Sequence, residues 1–221
     1  MDISFFKRYK LLYFILEFNF SIFDQINWII EECHKRGIEF HEWMNPYRIV
    51  SKSSKTLDEI TTYYNLYTKN PAIQKSNIME GKYYYLLNPG LQNMRDFLID
   101  TVLEFLNKYK EVDAIHFDDY FYNNLISLEV DHKIYEEYID FHPEVNYKKD
   151  NIKDKSDWRS EQVNLLIQSL HNTIIEFNQK NNKNILFGIS PSGIYKTCEN
   201  NNESVTYDSE RNVITSGVYS K

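Results

Sequence analysis

The chain has 221 residues, of which 42% are hydrophobic and 26% are charged, and its formal net charge is −7. This length and composition are typical of one folded domain and exclude a disordered tail, while the acidic balance disfavours a nucleic-acid partner. No part of the sequence approaches the run of about 18 apolar residues that a membrane-spanning helix needs, so we predict no such helix.

The first 20 residues form an atypical N-terminal segment. A basic stretch, residues 7–10, precedes an apolar run, residues 11–16, in an arrangement that loosely imitates a signal peptide. Glu17 interrupts the run, and no small-residue cleavage site follows it. We therefore predict a strand or helix at the edge of the fold here, and the domain proper over residues 21–221.

Three helix-then-strand units follow in chain order. Apolar residues at helical spacing predict helices over residues 22–33, 94–109 and 163–177. The segment after each helix is predicted to be a strand, over residues 38–45, 112–117 and 185–189, and Pro46 ends the first of them. Gly37 is expected to end the first helix, and Asn88 and Ser156 are expected to cap the second and the third.

Strands that alternate with long helices favour an α/β fold with parallel strands, because parallel neighbours need a crossover connection. Two connections are long, residues 47–87 and 119–155, and both leave the carboxyl ends of strands, where such folds bind ligands. We expect both to be partly ordered, the first with a helix over residues 56–67. Three strands are too few for a closed (β/α)8 barrel, so the pattern leaves two alternatives, a small open sheet and a slice of a barrel.

The end of the second predicted strand holds the main candidates for catalysis. His116, Asp118 and Tyr120 share one face of that strand, since alternate residues point the same way. A carboxylate there could act as a nucleophile or stabilise an oxocarbenium-like transition state. We predict Asp118 as the first catalytic candidate and Asp119 as the second, with His116 and Tyr120 in contact with substrate. The alternative is that either aspartate caps the loop that follows.

A second cluster of polar and aromatic residues ends the first predicted strand. His41, Trp43 and Asn45 share one strand face, and Tyr47 and Arg48 follow closely. Aromatic faces stack on sugar rings, while the polar groups hydrogen-bond to hydroxyl or carboxyl groups. We predict that these five residues bind substrate. The alternative makes Trp43 a core aromatic residue and Arg48 a solvated charge.

The loop after the third predicted strand adds Ser190, whose hydroxyl we expect to reach the ligand. Gly188, just before it, permits a close approach at the strand end. Histidines outside these clusters have no metal-ligand spacing, and the six glycines form no phosphate-binding loop. The sequence therefore predicts neither a metal nor another cofactor.

Five motifs stand in the same order as in a known family. They are residues 41–48 (HEWMNPYR), 85–90 (YLLNPG), 113–122 (DAIHFDDYFY), 156–159 (SDWR) and 187–195 (FGISPSGIY). Together they resemble the glycosyl hydrolase-like family 10 domain of bacteria, over about residues 23–195. Five collinear motifs are more specific than any one of them alone.

The resemblance implies a (β/α)8-barrel glycosidase domain, exported or attached to the cell envelope, that acts on cell-surface or cell-wall glycan such as peptidoglycan. An oligo- or polysaccharide is the implied partner. The motif with His116 and Asp118 is also similar to the Arg-x-Asp motif on strand four of the α-amylase clan, whose aspartate is the nucleophile. By this analogy the predicted strands are barrel strands three, four and five, and the chain is a partial barrel truncated at both ends.

The sequence departs from the family pattern in ways that bear on catalysis. The family usually has a small residue where Glu42 stands, and strand alternation turns Glu42 away from Asp118. The acid of the α-amylase clan, a glutamate on strand five, has no counterpart in residues 185–189. Because glycoside hydrolysis needs two carboxyl groups, we expect the second one from another part of the barrel.

Two other hypotheses stay open. A truncated or decayed barrel would bind sugar without turnover and would associate with itself through exposed strand edges. A metal-dependent glycan deacetylase is suggested by the pair Asp118 and Asp119. Such enzymes also need a histidine pair at helical spacing, which the sequence lacks.

Overall fold

The structure, a computed structural model, describes residues 24–64, 70–81, 83–118, 122 and 128–190, and the backbone of residues 207–208 and 213–214. Its strands are β1 His41–Met44, β2 Arg48–Ser51, β3 Ile78–Glu80, β4 Tyr84–Leu87, β5 Ala114–Phe117, β6 Leu186–Ile189, β7 Tyr207–Asp208 and β8 Val213–Ile214. Its α-helices are α1 Gln25–His34, α2 Leu57–Tyr64, α3 Gln92–Lys108, α4 His132–Phe141 and α5 Ile152–Asn181, with 3-10 turns at Pro71–Ile73, Lys75–Asn77 and Leu128–Asp131. None of the helices in these ranges is long and apolar enough to cross a membrane. The signal-like stretch at residues 7–16 lies outside them.

A parallel sheet of three strands forms the centre of the fold. β5 lies in the middle, with β1 on one side and β6 on the other. His41 pairs with Ala114 and Met44 pairs with Phe117, so β1 and β5 run side by side to their carboxyl ends. The predicted α/β architecture with parallel strands is therefore confirmed, and it is consistent with part of a (β/α)8 barrel.

Apolar stripes on two long helices pack against this sheet. The stripes join Ile115 and Phe117 of β5 in one core cluster; they consist of Met94, Leu98, Val102 and Phe105 on α3 and of Leu166, Leu170, Ile174 and Phe177 on α5. Each side chain of this kind contributes about 1.5–3 kcal/mol when it is fully buried. Both predicted helical stripes are thus confirmed.

The helix ends match the sequence predictions less well than the helix faces do. Gly37, which follows α1, has a left-handed φ of 69°, so the predicted stop is confirmed. The predicted caps at Asn88 and Ser156 are wrong. Asn88 Oδ1 accepts from Gly90 N at 2.9 Å and stabilises a turn before α3. Asn151 caps α5, because its side chain accepts from two backbone amides of the first turn.

The first long connection folds into a second, antiparallel sheet. β4 lies between β2 and β3, and α2 follows β2 along the chain. Ile49 of β2, Ile60 of α2 and Leu87 of β4 are buried in the same core cluster as the central sheet. The described part of this connection is therefore folded, and its helix lies within the predicted stretch.

The two faces of the central sheet differ in burial. Met44 and Phe117 belong to the helix-covered core, whereas Trp43 and Leu186 on the opposite face are 58% and 54% exposed. Glu42 shares the helix-covered side of β1 with Met44, because alternate residues of a strand point the same way. The open face is therefore the one that carries Trp43, and Glu42 points away from it.

The carboxyl group of Glu42 makes the free energy of unfolding depend on pH, and a substitution of Glu42 is expected to remove this dependence. Burial raises the pKa of the Glu42 carboxyl from its ordinary value of 4.5 to about 7. Because the unfolded chain loses this proton first, a rise in pH between those values favours unfolding, by on the order of 2–3 kcal/mol. We expect Glu42→Gln to abolish this part of the decrease in the free energy of unfolding, measured by urea denaturation across that interval.

Glu176→Gln, at an exposed position of α5, is the matched control and should keep the pH dependence of the wild type. The same pH dependence in the wild type and in Glu42→Gln would contradict the burial of this carboxyl.

Candidate active site

The register of β1 and β5 brings Asn45 and Asp118 together at the carboxyl end of the central sheet. Each residue directly follows the last paired residue of its strand, Met44 or Phe117. Asp118 is 7% exposed. In the amide orientation that satisfies both groups, Asn45 Nδ2 donates to the Asp118 carboxylate, at 3.2 Å from Oδ1 and closer to Oδ2. The carboxylate is thereby held in one orientation.

Arg48 extends this contact to the second sheet. Asn45 Oδ1 accepts from Arg48 Nη2 at 2.9 Å. Arg48 is the first residue of β2, and its guanidinium carbon lies 5.4 Å from the centroid of the Tyr84 ring on β4. A hydrogen-bonded chain of Asp118, Asn45 and Arg48 thus joins the ends of two sheets, and we call it the Asp118 chain.

A row of side chains crosses the open face of the central sheet beside this chain. The rings of Trp43 and His116 lie 4.7 Å apart between centroids, and they sit on paired residues of β1 and β5. His116 Nε2 is 3.0 Å from Ser190 Oγ, which follows β6. Gly188 of β6 faces the His116 ring and leaves room for it. All three parallel strands therefore contribute to this row.

Two of the ten residues predicted from the sequence lie apart from this group, and two more cannot be placed. His41 lies at the amino end of β1, and its Nε2 is 2.9 Å from Glu39 Oε2. Tyr47 is completely buried, and its hydroxyl has no hydrogen-bond partner there. Asp119 and Tyr120 lie outside the described residues. Six residues are brought together: Asp118, Asn45, Arg48, Trp43, His116 and Ser190.

Tyr84 is a neighbour of the site that the sequence analysis did not select. Its ring lies under Arg48, whereas the adjacent Tyr83 is 52% exposed. The run of three tyrosines at residues 83–85 was the available signal. Strand alternation within that run separates Tyr84 from its two neighbours, but only the pairing with β2 shows which face meets Arg48.

Carboxylates and metal ligands are sparse around the site as far as the structure describes it. Glu42, on the strand beside Asp118, points to the helix layer and not to the open face. No three side chains of His, Cys, Asp or Glu within the described ranges are grouped so that they could hold a metal ion. The arrangement that is present offers one carboxylate, one imidazole, one guanidinium and an exposed indole. This set can orient a polyhydroxylated ligand and support positive charge that develops on it.

The close approach of Gly188 and His116 gives a testable prediction. A methyl group on Gly188 would meet His116 Nδ1 at 3.1 Å and Cε1 at 3.6 Å. The ring must shift to accommodate it, so we expect Gly188→Ala to lower the free energy of unfolding by about 1 kcal/mol. In a His116→Ala background the same substitution should have almost no cost, because no ring is displaced. Equal costs in both backgrounds, measured by urea denaturation, would contradict this contact.

Comparison with known proteins identifies the family of the chain. Residues 21–219 match the family model described as glycosyl hydrolase-like 10. The chain is 32% identical over 179 residues to glycosyl hydrolase YngK of Bacillus subtilis, an alignment that covers 80% of this chain and 31% of that protein. It is 27% identical over 177 residues to glycosyl hydrolase DigH of Escherichia coli, covering 79% of this chain and 37% of that protein.

The chain thus spans about a third of the length of the curated relatives that it matches. The matched region of the family model includes every described helix and strand. The chain belongs to the glycosyl hydrolase-like 10 family.

Proposed function

We propose that the chain carries part of a glycoside hydrolase active site in which Asp118 is a catalytic carboxylate. The observation that carries this proposal is the Asp118 chain, in which Asn45 and Arg48 hold the carboxylate at the carboxyl end of a parallel sheet. Ligands bind at that end of parallel α/β folds. Membership of the glycosyl hydrolase-like 10 family supports the reaction class.

We also propose that the central sheet is a part of a (β/α)8 barrel and that the domain covers residues 21–221. The exposed side chains of Trp43 and Leu186 support this, because they lie on the face that would line a barrel interior. β1 and β6 are the outer strands of the sheet of three. In a closed barrel, further strands pair with such edges. Without them, the same edges would favour self-association.

In this proposal the Asp118 carboxylate faces the anomeric carbon of a sugar bound on the open face. It stabilises the oxocarbenium-like transition state, or it attacks the anomeric carbon as a nucleophile while the bond to the leaving oxygen breaks. Trp43 stacks against a sugar ring, and His116 with Ser190 hydrogen-bonds to hydroxyl groups. Asn45 and Arg48 keep the carboxylate in place, which lowers the reorganisation needed during the reaction.

The second carboxyl group of the reaction must come from elsewhere. It protonates the glycosidic oxygen as the bond to the leaving sugar breaks. We propose that it comes from another part of the barrel, and Asp119 is the alternative within this sequence. We propose bacterial cell-wall or cell-surface glycan as the substrate class and the cell envelope as the location, both from the family resemblance.

A second candidate function is sugar binding without turnover. The single carboxylate in the described cluster favours it, because one carboxyl group does not complete the reaction. The exposed Trp43 ring and the polar groups beside it suffice to bind a glycan.

The two functions are separated by Asp118→Asn, assayed on cell-wall glycan strands that have been stripped of peptide. If the proposal is right, the wild type releases reducing ends, and the variant is slower by about a thousand-fold or more. Binding to the same strands, measured by calorimetry, should change little, because the amide keeps the shape of the carboxylate.

Asp100→Asn, at an exposed position of α3, is the control and should behave like the wild type. Turnover at an equal rate in Asp118→Asn would remove Asp118 from catalysis. Binding without any turnover by the wild type would establish the second candidate. The absence of both binding and turnover would contradict the two functions together.

A further inference from the structure

A buried ion cluster joins α5 to the loop that follows β5. Asp131 is 1% exposed and meets two cations of α5. Arg159 Nε donates to Asp131 Oδ2 at 2.7 Å, and Arg159 Nη2 donates to Asp131 Oδ1 at 2.6 Å. Lys155 Nζ lies 3.0 Å from Asp131 Oδ1, and its side chain is only 4% exposed. We call these three residues the Asp131 cluster.

The Asp131 cluster balances the charge of Asp131 and also fixes the position of its carboxylate relative to α5. A guanidinium that donates two parallel hydrogen bonds to one carboxylate allows only one relative orientation of the two groups. Burial makes separation of the charges costly, so the carboxylate stays where α5 holds it. The pair of Lys153 and Asp157 on the same helix is different, since it is 3.4 Å apart with side chains that are 65% and 55% exposed. Such exposed pairs constrain little.

Arg159 also contacts the segment that begins at Asp118. Its guanidinium carbon lies 5.0 Å from the centroid of the Tyr122 ring, and Tyr122 comes four residues after Asp118. Tyr122 and Val130 pack against Met79 and Leu86 of the second sheet. One side chain of α5 therefore holds two described points of the loop after β5, at Tyr122 and at Asp131.

The same packing reaches the other end of the Asp118 chain. Leu86, which forms with Met79 the pair against which Tyr122 packs, is the β4 partner of Arg48 in the second sheet. Arg159 thus contacts two described residues that follow Asp118 in sequence, Tyr122 and Asp131. Tyr122 in turn packs against the second sheet, which carries Arg48. The Asp118 chain joins the end of β5 to this second sheet.

The part of α5 that carries Arg159 is held in place by tight packing. Trp158, the preceding residue, is completely buried, and its ring lies so close to Gly90 that a Cβ there would meet Trp158 Cη2 at 2.7 Å. Two of the motifs noted in the sequence, residues 85–90 and 156–159, therefore meet in the core. Neither provides a group of the Asp118 chain, so their role needs a different explanation.

We propose that Arg159 is a positioning residue for the candidate active site. Its paired bonds to Asp131 and its contact with Tyr122 set the distance between Asp118 and the Arg48 end of the Asp118 chain. The inference deepens the proposed function and rests on it for its catalytic consequence. The geometric part of the inference concerns the hydrogen bond between Asn45 and Asp118, and it can be tested without any measurement of turnover.

Arg159→Lys and Arg159→Ala test this proposal in the full chain, with Lys153→Ala as the matched control on the same helix. Lysine keeps the positive charge beside Asp131 but loses the planar fork, so it separates positioning from charge balance. The first readout is the side-chain amide resonance of Asn45 by NMR. We expect it to shift in both Arg159 variants and to stay in place in Lys153→Ala.

The second readout is hydrolysis of glycan strands. We expect kcat to fall by about tenfold to a hundredfold in both Arg159 variants with KM changed less than about threefold, because a small misplacement of a catalytic group costs rate and not affinity. Unfolding temperatures are measured in parallel, and Arg159→Lys is the variant in which the fold is expected to be kept.

The outcomes separate the two proposals. An unshifted Asn45 resonance in Arg159→Lys overturns the positioning role, whatever the activity. A shifted resonance with wild-type kcat overturns it as well, since the site would then tolerate the change. If the wild type neither binds nor hydrolyses glycan, the proposed function fails. In that case the Asn45 resonance alone decides whether Arg159 sets the geometry of the Asp118 chain.

Discussion

The parallel pairing of β1 with β5 is the constraint on which the candidate site depends. Its register ends with Met44 opposite Phe117, which makes the next residues, Asn45 and Asp118, neighbours at the end of the sheet. The apolar members of the pair face the helix layer and anchor the strands in the core. The polar residues that follow are left at the strand ends. One hydrophobic pattern therefore both builds the sheet and delivers a carboxylate and an amide to the same point.

A nearly buried carboxylate such as Asp118 is stable only where its charge is compensated. The Asn45 amide nitrogen donates to this carboxylate, and the Asn45 amide oxygen accepts from Arg48. The charge of Asp118 is therefore compensated by residues of two sheets. The second sheet is thus more than an insertion in a connection. It supplies the cation of the Asp118 chain on one edge and, through Met79 and Leu86, an apolar contact for Tyr122 and Val130. The open face with Trp43 is therefore available to a ligand, while the helices that support the sheet pack on its other face.

Sequence reasoning found what depends on local periodicity. Strand alternation placed Trp43 and Asn45 on one face of the first strand and Asp118 on the face of the second strand that carries His116. Helical spacing identified the buried stripes of α3 and α5. It failed where one residue can form more than one local structure, because the rest of the fold decides which of them forms. Asn88 forms a turn with Gly90 instead of capping a helix, and α5 begins earlier than predicted, at Ile152, after Asn151, which offers an equally good cap.

The second sheet was not predicted, because β2 pairs with a strand more than 30 residues away and neither strand is distinctive alone. The bonds of His41 to Glu39 and the burial of Tyr47 likewise depend on tertiary contacts. The central claim is that sugar binds on the open face against Asp118. A crystal structure of the chain with a bound glycan fragment tests it most directly. We predict a sugar ring against Trp43, with its anomeric carbon within about 4 Å of the Asp118 carboxylate. A sugar bound on the helix side of the sheet, or one without contact to Asp118, would contradict the account.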